Sequence, residues 1–405
     1  MLKQRRSQFE FITLMASLMS IVALALDALL PALDIIGLAI GTSDATDTQL
    51  LITMFFLGLG TGPLLFGPMS DSFGRKPAVY WGFALFIAAS FICIYATSIE
   101  MMVIGRILQG IGLSGPRTIS IAMIRDTYSG DYMARIMSFI TVVFILVPIV
   151  APATGKLILD QYSWQAIFYT QLFFVLLVSF WFWKRQAETH PIAKRQKFTK
   201  SIFVDGLKEL AKYKITIGYT LISGFIVGSF LVYLSTSQHI FEHQYGLKEE
   251  FPYIFAVLAI SIGSATFLNG TLVLRLGMEK LISISLFAFF GVSLLYLVLF
   301  HNTPNPHIAV LLLFFGSQFF AIGFLFGNLR AMAMQPVGHI AGIGAAITGF
   351  VSTLMAVPIS SFIGQFVVHT ALPLFVGFVV CSLLSIGIWV YLKVSARKTH
   401  RVAVK

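Results

Sequence analysis

FGPMSDSFGRKP, Phe66 to Pro77, sets an Asp, an Arg and a Lys between two glycines in a region that is otherwise almost wholly apolar. Uncharged windows of about 20 residues flank it on both sides, roughly 48–70 before and 78–98 after, each long enough to cross about 30 Å of hydrocarbon. The stretch therefore reads as a polar turn joining two membrane-crossing segments. The same test along the chain gives ten more windows, near 11–33, 100–124, 133–157, 164–184, 215–237, 253–274, 281–300, 308–328, 337–362 and 371–393. Composition agrees: of 405 residues 57% are hydrophobic and 11% charged, with mean hydropathy +0.87, far from a soluble domain. The windows are rich in Gly, Ala and Leu and lack the alternation of barrel strands, which predicts an all-α membrane protein with twelve transmembrane helices.

All but four of the 28 Lys and Arg fall in the segments that face one side if the N-terminus is cytoplasmic; the exceptions are Lys156, Lys248, Arg106 and Arg117. The positive-inside bias thus predicts that both termini are cytoplasmic. It also accounts for the net charge of +11 without nucleic-acid binding, with anionic membrane lipid as a second contributor. The first window is too long, and too free of small-residue cleavage signals, for a signal peptide. Cys93 and Cys381 lie inside apolar windows and read as packing residues. The longest polar stretch, Lys184 to Lys214, divides the chain into bundles at 1–184 and 215–405 joined by a cytoplasmic linker at 185–214, basic and partly amphipathic toward its end. Gly67 and Gly74 recur as Gly270 and Gly277 after the eighth window, with Leu274 and Met278 where the first copy has Asp71 and Arg75. Two repeated halves are the arrangement of a secondary transporter.

Gly67, Asp71, Gly74, Arg75 and Lys76 spell G-x-x-x-D-x-x-G-R-K, and with twelve halved spans this resembles the major facilitator superfamily over nearly the whole chain. Gly67 and Gly74 are read as allowing close helix approach and a tight turn. The resemblance implies two pseudo-symmetric six-helix bundles and a cytoplasmic gate latched by this turn; a plain role of Arg75 and Lys76 as topology anchors is the competing reading. RILQGIG, Arg106 to Gly112, is similar to the helix-four motif of proton-coupled members, and PIVAPATG, with Pro148, Pro152 and Gly155, to the helix-five motif of antiporters, without the usual double glycine. LDALLPAL (Leu26 to Leu33), SWQAIF with Gln165 where Arg is usual, IRDTY (Ile124 to Tyr128) and QPVGHIAGIGAAITG together resemble the bicyclomycin and chloramphenicol resistance branch of drug/proton antiporters. That branch carries an Arg four residues before the RD pair, where this chain has Ile121 and, one turn earlier, Arg117. The resemblance implies a monomer that exchanges small molecules for protons.

Charged groups inside spans are costly and functional by default. Asp27 and Arg106 each lie about six residues from the outer end of their windows, about 9 Å deep at 1.5 Å per residue. The matched depth predicts a coupling pair in a central cavity that trades a proton as access alternates; a static pair that only fixes packing is the other reading. Gln109 and Arg117 are candidates for the substrate cavity or gating, Arg117 being equally readable as a snorkelling side chain. Asp34 reads as a solvated cap more readily than as a second proton site. Asn269, Arg275, Asn328 and Arg330 read as topology or gate groups, and Gln318 and Gln238 as hydrogen-bond donors to neighbouring helices. The histidines have no metal-ligand spacing, no nucleotide-binding loop occurs, and no nucleophile–base set lies in the spans, so neither a cofactor, a metal nor an enzyme is expected. An antiporter exporting hydrophobic drugs is the leading reading; a proton-coupled carrier of an endogenous metabolite or siderophore, and a non-transporting receptor, are the alternatives.

Overall fold

The computed structural model describes residues 7–42, 44–128, 130–195 and 201–403. Its helices are α1 Gln8–Asp27, α2 Leu33–Ala39, α3 Ala45–Phe73, α4 Arg75–Ile94, α5 Ile99–Thr127, α6 Gly130–Gln161, α7 Gln165–Arg185, α8 Ser201–Ala211, α9 Lys214–Gln238, α10 Phe251–Leu276, α11 Met278–Phe300, α12 Ile308–Met334, α13 Ala341–Gly364 and α14 Leu372–Ala403. Among the described residues ten helical segments are long and apolar enough to cross a membrane, α1 and α2 counting as one. Helices α5 and α6, 29 and 32 residues long, cover the other two expected windows and are not among those ten. The chain forms two compact units, Met1–Thr199 and Lys200–Lys405.

Each unit uses the same packing plan. In the first, α5 packs on α3 and α4, and α1 on α6, with α7 closing against α1 and α4. In the second, α12 packs on α10 and α11, and α9 on α13, with α14 closing against α9 and α11. The internal repeat glycines Gly74 and Gly277 both turn the chain between a helix pair, at φ +106° and +79°, a region that penalises any side chain. Gly67, expected to permit close helix approach, instead faces open space, and the close approach is made deeper in the bundle. A Cβ on Gly58 would lie 2.0 Å from the carbonyl oxygen of Ile107, and one on Gly110 2.1 Å from that of Phe55, so α3 and α5 touch backbone to backbone. Without a hydrophobic drive between helices in lipid, such small-residue contacts are what hold spans together.

Helix ends are clasped on the side where α1 begins. Ser7 caps α1 by accepting from the Glu10 amide at 3.1 Å, and the Glu10 carboxylate takes two hydrogen bonds from Arg185 at the end of α7. The linker stretch is not all irregular: α8 forms within it and seats Gly206 on Ile343 and Ile347 of α13.

Gly110→Ala should therefore cost about 1–3 kcal/mol of stability, the usual range for overpacking. Gly291→Ala, whose added Cβ meets nothing within 4 Å, should be neutral or better. Thermal unfolding of the two purified variants in detergent checks the contrast.

Candidate functional site

The first span is broken where its signature lies. Pro31 has no amide to donate to the carbonyl of Asp27 four residues back, and its ring crowds that position. The α-helix accordingly ends at Asp27, and a 3-10 turn, Leu30–Ala32, follows. The Leu29 amide is drawn to Leu26 at 3.3 Å, so the carbonyl of Ala25 loses its ordinary partner. Arg106 of α5 takes it: Nη1 donates to Ala25 O at 3.3 Å and to Gln109 Oε1 at 2.7 Å, and Nε donates to Leu51 O of α3 at 3.0 Å. The guanidinium lies over the Phe55 ring, 4.4 Å from its centroid. Gln109 passes the network to α4, its Nε2 donating to Ser90 Oγ at 2.8 Å. One buried cation thus ties α1, α3, α4 and α5 together.

Asp27 sits at the level of this network and is 5% exposed. The expected carboxylate–guanidinium contact is not made. Among the described residues Asp27 has no hydrogen-bond or ion-pair partner, while Arg106 spends its donors on backbone and Gln109 and leaves Nη2 unbonded. The guanidinium instead engages the carbonyl that the helix break frees. Gly155 of the helix-five motif covers the break, since a Cβ there would lie 2.0 Å from the Ala28 oxygen. Pro148 and Pro152 lie in the two turns of α6 before it.

The polar turn forms a second cluster at the other end of α5. Arg75 is buried and bonds Asp71, Ser70 Oγ at 2.8 Å and Asp126 Oδ2 at 3.0 Å. Glu188, just past α7, caps the start of α4 with both oxygens, accepting from the amides of Arg75 and Lys76 at 3.0 Å each. Thr189 Oγ1 donates to Asp126 at 3.0 Å, and Lys76 Nζ reaches the Trp183 carbonyl at 3.4 Å. Gly74 must stay small, because an added Cβ would press on Glu188 and Arg195 at 2.7 and 2.6 Å. Arg117 lies half-buried on α5 between the two clusters, and Asp34 is half-buried on α2.

The second unit repeats the scaffold without the charge. Gln318 of α12 donates to Ser293 of α11, and Ser293 bonds back to Phe289 O at 2.7 Å, as Ser90 does to Phe86 O at 2.8 Å. Three residues before the Gln, where the first unit has Arg106, stands Phe315. It packs against Tyr233, with centroids 5.2 Å apart, and stacks on Phe319 and Phe375. Gln318 thus bonds a neighbouring helix as expected, whereas Gln238 bonds Glu242 of its own turn. Asn269 and Asn328 join in a reciprocal amide pair between α10 and α12. Among the described residues no three His, Cys, Asp or Glu gather as a metal-ligand set.

Sequence reading missed Ser90 and Glu188 and noted Asp126 only as part of a motif. Ser90 was signalled by the repeat, because Gly74 to Ser90 and Gly277 to Ser293 are equal intervals. Glu188 was signalled only by being the first acid after the sixth window.

Arg106→Lys keeps the charge but a single ammonium cannot reach Leu51, Ala25 and Gln109 together. At about 1.5–3 kcal/mol per hydrogen bond to a charged group, the variant should melt well below the parent. Glu188→Ala should cost about 1 kcal/mol as a lost helix cap, and calorimetry of both variants measures it.

Residues 15–359 match the Major Facilitator Superfamily. The chain is 27% identical over 399 residues to a bicyclomycin resistance protein homolog of Haemophilus influenzae, covering 96% of this chain and 98% of that protein. It is 26% identical to the multidrug resistance protein MdtL of Shewanella oneidensis, over 80% and 81% of the two chains. Its fold is similar to the crystal structure of a peptide transporter, POT, in complex with sulfate, with TM-score 0.76 at 12% identity, over 98% and 97% of the two chains. The helical chain, with its repeated units and glycine-turned polar loop, belongs to the major facilitator superfamily of multi-pass membrane transporters.

Proposed function

We propose that this protein exports hydrophobic small molecules across the cell inner membrane in exchange for protons, by alternating access. The observation that carries the reading is Asp27, a buried acid at a break in a spanning helix, two residues from Arg106's contact with Ala25. Interrupted spans at mid-bundle are where transporters of this kind build their sites. The resistance functions named for the relatives point to drug-like substrates and to efflux. In this reading both termini are cytoplasmic, residues 1–184 and 215–405 are the two moving bundles, 185–214 is their linker, and the monomer is the working unit.

Roles follow from chemistry. Asp27 is uncharged when protonated, which lowers the cost of the empty protein returning across the barrier. Once it releases its proton inward, its charge and the freed space favour substrate, so proton and substrate oppose each other's binding. Arg106 keeps the broken α1 docked on α5 in both states, with Gln109 as its second support, and Arg117 contributes to gating. Pro148, Pro152 and Gly155 let α6 lie directly on the break. The cluster of Gly67, Asp71, Gly74, Arg75 and Lys76, with Asp126 and Glu188, acts on gate interconversion and not on the substrate itself.

Asp27→Asn should reach the membrane and exchange substrate by counterflow, yet drive no uphill efflux in vesicles with an imposed pH difference. Uphill pumping equal to the parent would move the coupling role to Asp34. Asp71→Asn and Arg75→Ala should slow transport severalfold while leaving substrate binding intact; equilibrium binding beside initial rates separates the two effects, and lost binding would refute a gate role.

A further inference from the structure

Helix α8 has two apolar faces and only one of them is covered by protein. Leu210 is buried, and Gly206 lies against Ile343 and Ile347 in the first two turns of α13. On another face Val204 and Leu207 are 52% and 55% exposed, and Ala211 continues the same stripe at helical spacing. The helix ends three residues before Lys214, where the spanning helix α9 begins. Both of its anchors therefore fix it at the level where spans enter the membrane, with Tyr213, an interfacial residue type, between α8 and α9. Lys208 borders the exposed stripe, and Lys212 projects beyond it, 67% exposed while paired with Glu209 at 2.6 Å. Asp205, three residues before Lys208, lies on the polar face beside these lysines and away from the exposed stripe. The surrounding sequence from Lys184 to Lys214 holds nine Lys and Arg against three acids, Glu188, Asp205 and Glu209.

We propose that α8 is an interfacial helix whose Val204, Leu207 and Ala211 face enters the headgroup boundary and whose lysines bind anionic phospholipid. An exposed apolar stripe flanked by lysines at the membrane surface matches the chemistry of such helices, and each lysine near an anionic surface strengthens binding about fivefold. Charge selects the partner: a neutral lipid would satisfy the stripe but not the basic run around it. Because Gly206 seats α8 on the start of α13, lipid held by α8 bears directly on that spanning helix. The inference rests on α8 itself and not on the transport reading.

The test uses the full-length chain with Leu207→Cys carrying an environment-sensitive fluorophore; the native Cys93 and Cys381 are buried and stay unlabelled. In nanodiscs holding one copy each, emission should shift to the blue and be quenched by doxyl-labelled lipid as phosphatidylglycerol replaces phosphatidylcholine. A label at Asp205→Cys should remain water-like. Lys208→Gln with Lys212→Gln should move the half-maximal phosphatidylglycerol fraction upward, with the fold preserved by circular dichroism. A Leu207→Cys signal identical in both lipids overturns the anionic-lipid assignment. A shift seen only in discs loaded with two copies overturns it in favour of self-association. Neither outcome touches the exporter reading, because no transport is measured.

Discussion

A cation with no carboxylate beside it is held in the middle of the first unit, and much of that unit is arranged to make this tolerable. Burying a charge without neutralising it is costly unless every donor finds an acceptor. Arg106 comes close to the condition, with Nε and Nη1 on the carbonyls of Leu51 and Ala25 and on the Gln109 side chain and Nη2 left unbonded, and the Ala25 oxygen is free only because α1 breaks before Pro31. The break in turn exposes the Ala28 carbonyl, which only a glycine on α6 can approach, and Gly155 is there. The chain of dependence runs from a proline to a carbonyl to a guanidinium, and from the same proline to a glycine on the adjoining helix α6.

Helix α5 then serves as a rod between two polar clusters. Arg106 is near one end, and Asp126, which holds Arg75, is near the other, about 30 Å along the axis at 1.5 Å per residue. Its glycines press it against α3 and α4 so closely that it cannot shift alone. The α1 break and the turn between α3 and α4 are thereby joined by one continuous packed backbone.

The fold was readable because its signals are long: twenty apolar residues between charges, a lysine and arginine bias, and a glycine pair repeated at one interval. The turn cluster was readable in part, since Asp71, Gly74 and Arg75 are local to one another. Glu188 was not, because it lies more than a hundred residues from the amides it caps and reaches them only after α7 has crossed back. Depth arithmetic put Asp27 and Arg106 at one level correctly but could not tell which atom Arg106 would choose. That choice depends on a carbonyl released by a helix break, and side-chain types alone do not reveal backbone acceptors. Gly67 failed for the complementary reason: a motif position says that a glycine is used, not which neighbour comes near.

The Gln-to-Ser bond that recurs in both units marks where they differ. Equal intervals from Gly74 to Ser90 and from Gly277 to Ser293, with the same back-bond to a Phe carbonyl, make the bond a common element of the internal repeat. The residue three places before the Gln is not shared, guanidinium in one unit and phenyl ring in the other. At this one repeat position the two units therefore offer different solvents, a guanidinium among carbonyl oxygens in the first and a stack of rings in the second.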